Sequence, residues 1–585
     1  MRRPTRVNGY TGPAGSNQRS RRSLLRGAVL GALGGAAFGM ACGGGSAINR
    51  RSNGFRTPGT GSDGQTTPAV SVPAEALGRP GGKIVLAAPG TPTGYDLVAQ
   101  SSVETSGFLS LACNGLMTFE NGSARIPDPA GLTIVPDLAS ASPEQPDGNT
   151  YIFRLRAGIK WQPVEPLNAR AFTAADVKWQ YDRAAVDPRS TLKTAFGVVE
   201  SVESPDDRTV TVKLKEPYAP FLPLVAGGAN RFIQARELAD SGRLKSQLIG
   251  TGPFSLELPV QNGRPVFRKN PLYFKRDAAG TPLPYADEVN WLPLPDTAAR
   301  LQALQSGQVG ISAALSPDDS SQLKSSNPND FEFQDAPGVS NYIYMRLDRH
   351  PVDDKRVRQA MSLALDRPAM VKALGGGSGQ PDLPIPVMLG ELSLPIAKLG
   401  DVARFYPRDI RAAKQLMAAA GLAEGIATAI AYSPVYGAGF VLAAQLVRGY
   451  LSEIGIHATL VSLDYVRYLN TAFKGDFEGL AYGVRGVFPD SEPYLGYYYL
   501  PDGIYYQDHS NDQHLQSLVK GQRQELDRNK RIGILNEVQR YLSDTQLRVY
   551  DVAITRSFAW QKSLKNYRGS VWPSYSQLEA AWLDK

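Results

Sequence analysis

His509 and His514 lie five residues apart beside Asp508 and Asp512, and these four side chains are where a hard metal site could assemble. A spacing of five puts the two imidazoles on different faces of a helix, so a solvated loop without metal is the reading favoured here. Nucleophilic chemistry has less to work with: the chain carries no G-x-S-x-G, no H-E-x-x-H and no Cys–His pair in a matching context. The supply of Asp and Glu is the sole motive for an exported hydrolase, so the expectation is no enzyme, no cofactor and no metal. Binding chemistry is better represented. Arg485 offers a planar fork for a carboxylate. Asp490 offers a charge for an amine, because a buried ammonium needs a paired charge. Tyr494, Tyr497, Tyr498, Tyr499, Tyr505 and Tyr506 form the densest aromatic cluster, and tyrosine presents a flat apolar face and a hydroxyl to peptide backbones or sugar rings. A surface arginine and a tyrosine-rich core are the plain structural alternatives.

Charge and cysteine usage narrow the class. Of the formal net charge of +8, seven positive charges are Arg2, Arg3, Arg6, Arg19, Arg21, Arg22 and Arg26, in a stretch of 41 residues with no acid. The remainder is close to neutral, so no nucleic-acid-tracking surface is expected. Cys42 and Cys113 are the two cysteines, too few for a disulfide framework or a four-ligand zinc site.

Gly27 to Ala41 is an uncharged run padded with Gly and Ala, shorter than the roughly 20 apolar residues a spanning helix needs. Basic residues, a short apolar run and small residues before a break are the build of an export signal. SRRSLLR (Ser20–Arg26) resembles the twin-arginine export motif, and GMAC (Gly39–Cys42) resembles a lipobox with Gly39 in the place of the usual leucine. That resemblance implies a signal peptide over 1–41 and Cys42 as the lipidated first residue of the mature chain. Residues 42–81 are Gly, Ser, Thr, Pro and scattered Arg, a composition that reads as a flexible tether. A diacylglycerol and an amide-linked chain on Cys42 would supply the two acyl signals that stable anchoring needs.

A chain of 585 residues exceeds one hydrophobic core. The body alternates strand and helix signals. GGKIVLAAPG (Gly81–Gly90) is a short apolar run between glycines, a buried first strand. TYIFRLRAGIKW (Thr150–Trp161) and RTVTVKLKEPYAPFL (Arg208–Leu222) alternate as half-buried strands. Thr173 and Asp176 make an acidic capping box that starts a helix with Val177 and Tyr181 on one face. Val357, Ala360, Met361, Ala364 and Leu365 share another buried face, and Gly421 stands where a C′ cap belongs. Val447, Tyr450, Leu451 and Ile454 point a helix inward before Gly455 breaks it and a strand runs from Ile456 to Leu463. Strands alternating with crossover helices predict α/β lobes with largely parallel pairing. GTGPF (Gly250–Phe254) and GGGSG (Gly375–Gly379) lack the strand–loop–helix context of a phosphate loop. The first reads as a glycine turn of positive φ entering a strand, the second as a loop after a helix.

The order of these pieces resembles the family 5 extracellular solute-binding proteins, the peptide- and nickel-type receptors of ABC importers. NGLMTFENG (Asn114–Gly122), IVPDLASASPEQPDGNTYIFRLRAGIKW (Ile134–Trp161), FTAADVKWQYDR (Phe172–Arg183), PYAPFL (Pro217–Leu222), IGTGPF (Ile249–Phe254), RKNPLYF (Arg268–Phe274) and HPVDDKRVRQAMSLALDRPAMV (His350–Val371) follow one another as in that family. The resemblance implies a periplasmic-binding-protein-like clamshell of class II: two α/β lobes with an extra domain inserted in lobe one. It places lobe one at 82–112, 250–335 and 535–585, the inserted domain at 113–249, and lobe two at 336–534. It also implies an exported monomer on the outer face of the cytoplasmic membrane or in the periplasm, capturing a solute, foremost a short peptide, and delivering it to permease subunits.

In peptide-binding members an aspartate four residues before a proline pairs with the ligand's amine. Counting back four from Pro493 lands on Pro489, with Asp490 one residue away, while another gapping places Val487 there. Either Asp490 serves from a shifted register, or the ligand lacks an amine, as an oligosaccharide does. The same alignment brings Tyr482, Gly483, Val484 and Arg485 to the cleft, with Tyr497 from the aromatic cluster, and Tyr95 and Trp161 from the first lobe and the inserted domain.

Overall fold

The computed structural model describes residues 77–100, 102–120, 133–312, 314–571 and 574–584. The export segment, Cys42 and most of the tether lie outside the described residues. No described helix is long and apolar enough to cross a membrane.

The apolar run near residue 81 becomes the strand Lys83–Ala88, with Ile84, Leu86, Ala87 and Ala88 buried. It pairs in parallel with Glu288–Pro293, and Leu86 bridges in parallel to Ile311 on its other side. Glu288–Pro293 continues through antiparallel partners Val266–Lys269 and Phe254–Leu256. Beyond Ile311 the sheet goes on through antiparallel Arg556–Gln561 to Phe331–Ala336. The pairing is mixed rather than largely parallel, because neighbouring strands such as 254–256 and 266–269 are joined by short connections that admit only antiparallel pairing.

GTGPF owes its glycines to close approach, not to positive φ. A Cβ on Gly252 would stand 2.7 Å from the Ala112 carbonyl oxygen and 2.8 Å from the Cys113 nitrogen, and the left-handed glycines of the chain do not include Gly250 or Gly252. A strand, Phe254–Leu256, follows directly.

A second core gathers residues between Leu116 and Ile249. Its three-stranded antiparallel sheet sets Thr209–Leu214 between Thr150–Arg154 and Val199–Asp206. The helix Ala174–Val186 packs on it through Val177 and Tyr181, and the Asp176 carboxylate accepts from the Thr173 N–H at 2.9 Å, which satisfies a helix-end donor.

The third region is a five-stranded sheet in the order Ile456–Ser462, Ile426–Tyr432, Leu480–Val484, Asn341–Met345, Val549–Tyr550. The first three strands are parallel and the last two pair antiparallel. The helix Lys355–Ala364 buries Val357, Ala360, Met361 and Ala364 against it, as their spacing requires. Gly421 takes φ +81° just past the helix Ile410–Ala419, and Gly455 takes φ +85° before the Ile456 strand, both conformations that cost glycine little.

The chain passes between the first and third regions at residues 337–340 and 551–555. The return drawn from the sequence at residue 535 falls inside the helix Arg528–Thr545. That helix buries Leu535, Val538 and Leu542 in the core of the third region.

Candidate ligand-binding site

In open α/β sheets ligands collect outside the carboxyl ends of parallel strands. In the first lobe that edge is formed by Ala88 at the end of its strand, by Trp291 and by Ser312 just after Ile311. A cavity of about 340 Å³ opens there and is closed on its other sides by Arg556, Phe558, Tyr567 and Tyr575. Arg556 pairs with Ala336, the last rung before both strands leave for the other lobe. The cavity therefore adjoins the hinge, and Val571 on its lining packs against the cores of both lobes.

Its walls are aromatic. Trp291 meets Tyr575 edge to face at 5.6 Å and donates from Nε1 to the Gly90 carbonyl at 2.8 Å. Arg300 also borders it, but its guanidinium is engaged by the carbonyls of Leu294 and Pro295 and by the Thr297 hydroxyl. Arg556 is different. Its side chain is open to the cavity and has no hydrogen bond or ion pair among the described residues. Surrounding protein, by desolvation, pushes its pKa below the ordinary arginine value. The Ser312 hydroxyl is buried on the same lining without a hydrogen-bond partner.

The second lobe presents the end of Leu480–Val484 toward the hinge, since Val484 pairs with Asn341. The side chains there are engaged. Tyr482 is buried and donates to Asp551. Asp551 also accepts the backbone N–H groups of Asn341 at 2.9 Å and Val552 at 2.6 Å, and burial pushes its pKa up to about 7. Gly483 faces the rings of Tyr344 and Tyr468, and Val484 is half-buried. Arg485 donates to Asp382 at 3.2 Å, to the Leu383 carbonyl at 2.6 Å and to the Pro384 carbonyl, and lies between the rings of Tyr494 and Tyr550 at 4.7 and 4.4 Å. Its fork is filled by its own lobe, which corrects the expectation of a carboxylate clamp.

Asp490 is likewise committed. Arg531 donates to its two oxygens at 2.6 and 3.0 Å, and the Glu492 N–H donates to it at 2.8 Å. The pair is buried, so the carboxylate is not displayed as an amine receptor. Glu492 receives Arg523 at 2.7 Å, and burial raises its pKa to about 7 against the pull of Arg523. Pro489 packs on the inserted region: a Cβ on Gly227 would come within 3.0 Å of the Pro489 ring and 2.7 Å of Phe119. The Ala219 N–H donates to the Arg523 carbonyl at 2.7 Å, and Gln524 to Glu216 at 2.7 Å.

Of the aromatic candidates, Tyr497 is half-buried beside Phe488 and Tyr505. Tyr494, Tyr498 and Tyr499 are core residues of the second lobe. Tyr95 stacks on Phe108 at 5.5 Å in the first lobe's core. Trp161 is fully buried in the inserted region, its Nε1 donating to Asp176 at 3.3 Å, so it is a packing residue there and not a cleft wall. Asp512 caps the helix Gln513–Gln524 and accepts from Tyr541 at 2.6 Å, while Asp508 faces Arg548 at 3.5 Å. The structure thus brings together Arg556, Ser312, Trp291 and Tyr575, which sequence reasoning passed over. An arginine heading the apolar run RSFAWQ was the one available signal.

The sequence profile of the bacterial extracellular solute-binding proteins, family 5 (middle region), matches residues 133–506. The chain belongs to this family. It is therefore an extracytoplasmic solute receptor of the ABC-importer type and not an enzyme. Among relatives of this family 5 receptor, the dipeptide-binding protein of Escherichia coli K12 is 26% identical over 447 residues, 72% of this chain and 78% of that protein. The periplasmic protein AgaA of Agrobacterium tumefaciens R10, solved with agropinic acid, superposes with a TM-score of 0.70 at 22% identity, covering 86% of this chain and 99% of its own. DppA of Helicobacter pylori, solved with the peptide STSA, gives 0.68 at 20% identity over 87% and 99%. These solved structures share the family 5 receptor's two-lobed fold.

Proposed function

We propose that this receptor captures a short peptide between its lobes and hands it to membrane permease subunits. The observation that carries the reading is the cavity beside Arg556. It lies at the carboxyl edge of the first lobe's strands and next to the hinge, is walled by aromatic rings, and has about 340 Å³, within the range of small-molecule sites. A sequence relative named as a dipeptide-binding protein supports it. Titration of the purified protein with mixed tripeptides and with neutral oligosaccharides tests it: heat of binding with peptides and none with sugars is the expected result.

A second reading, an oligosaccharide or other amine-free ligand, is favoured by one observation. The residue count from Pro493 puts Pro489 where the resemblance expects the amine-binding aspartate, and Asp490 is held by Arg531. Binding of sugars in place of peptides would select it.

The remaining proposals concern the setting. The mature chain begins at Cys42, carries lipid there, and works as a monomer on a tether outside the cytoplasmic membrane. Lobe one comprises about 82–112, 250–336 and 556–585, the inserted domain about 113–249, and lobe two about 341–550. The partition of the buried cores supports these limits.

A further inference from the structure

We infer that the cavity is a carboxylate subsite, in which Arg556 takes the ligand's carboxylate and the Ser312 hydroxyl adds a hydrogen bond. The inference rests on the peptide reading and names the end of the ligand that this lobe holds.

Three observations converge. Arg556 is the cation left over: it opens into the cavity and, among the described residues, donates to no carbonyl, carboxylate or hydroxyl, whereas Arg300 on the same lining has its guanidinium filled. The surrounding protein partly desolvates this open guanidinium, which is the one cause of its lowered pKa. An arriving carboxylate removes the penalty and can be bound by two parallel N–H donors. Second, the Ser312 hydroxyl is buried on this lining with no partner. Buried hydroxyls are ordinarily hydrogen-bonded, so this one, on a residue of the lining, has a hydrogen bond still to make. Third, the charge balance selects among anions. Glu104 lines the same cavity yet forms no ion pair with Arg556. Arg300 keeps its charge although its donors are filled, so Arg300, Arg556 and Glu104 give the lining a formal net charge of +1, which suits an incoming single negative charge and opposes a phosphate dianion.

Four arginines of the second lobe are engaged within it. Arg485 is occupied by Asp382 and two carbonyls, Arg531 by Asp490 and Arg523 by Glu492. Arg548 lies among the rings of Tyr342 and Tyr498 and donates to Gln507 at 3.0 Å.

The test uses two tripeptide pools built without Asp and Glu, one with free C-termini and one with C-terminal amides. Affinities are measured for the unaltered protein, Arg556→Gln and Arg556→Lys, with unliganded melting as the folding control. The unaltered protein is expected to favour the free-acid pool by about tenfold or more, Arg556→Gln to lose that preference, and Arg556→Lys to keep part of it. Should Arg556→Gln fail to fold, the partial preference of Arg556→Lys carries the test. Equal affinity of the unaltered protein for both pools, or an undiminished preference in the Gln variant, overturns the carboxylate subsite and leaves the peptide reading standing. Binding of neither pool overturns both.

Discussion

Arg531 reaches from the start of a long helix to both carboxylate oxygens of Asp490, at 2.6 and 3.0 Å, inside the second lobe. Removing one partner of a buried pair strands the other charge, at a cost of about 3–5 kcal/mol. Asp490→Ala is therefore expected to lower unfolding stability by that order, read from the urea midpoint at constant m-value. A folded Asp490→Asn protein is expected to bind ligand as the parent does. A stable Asp490→Ala protein with selectively weakened peptide binding would return Asp490 to the ligand site.

Asp551 predicts a pH dependence. Its folded pKa, raised to about 7 by burial, exceeds the ordinary aspartate value of 3.8. The folded state then binds more protons than the unfolded state between about pH 4 and 7. Stability from this group is present below pH 4 and is lost as pH rises through 7. Tyr482 and the amides of Asn341 and Val552 surround it. Asp551→Asn should flatten the decline between pH 5 and 8 by about 2–3 kcal/mol, measured by urea unfolding at the two pH values. A parallel decline in both proteins would show that Asp551 is not the titrating group.

Gly252 predicts a steric cost. An added methyl would sit 2.7 Å from the Ala112 carbonyl oxygen, and backbone cannot yield as a flexible side chain can. Gly252→Ala should destabilise by about 1–3 kcal/mol, lowering the melting temperature. In Gly263→Ala the added atom meets nothing within 4 Å, and only the left-handed backbone opposes it.

Arg485 and Arg556 show what the sequence could and could not tell. Each is a lone arginine at the end of a strand, and sequence reading chose the first. What separates them is Asp382, 103 residues upstream of Arg485, together with the two carbonyls beside it, while Arg556 meets no such partner among the described residues. Partners at that separation leave no local pattern. Periodic features did show: the buried face of Val357, Ala360, Met361 and Ala364, the Thr173–Asp176 helix start and the cap at Gly421 each depend on neighbours within a turn or two. The strand pairing did not, because hairpin and crossover connections give similar apolar runs. The cavity was hidden for the same reason: Ala88, Trp291, Ser312 and Arg556 come from four separate strands or strand ends.

The proposed lipidation of Cys42 implies a membrane-bound protein. Cys42→Ser is expected to move the receptor from the membrane pellet to the soluble fraction, and intact mass of the parent to show acyl chains on the first residue. An unmodified Cys42 in the parent would describe a freely secreted receptor.

The most direct test of the central claim is the melting temperature of the purified receptor with a mixed tripeptide pool, followed by mass analysis of the peptides. A ligand at 100 times its Kd stabilises by about 2.7 kcal/mol. A clear upward shift is expected, with the peptides recovered intact. No shift at saturating peptide, or peptides returned cleaved, would contradict it.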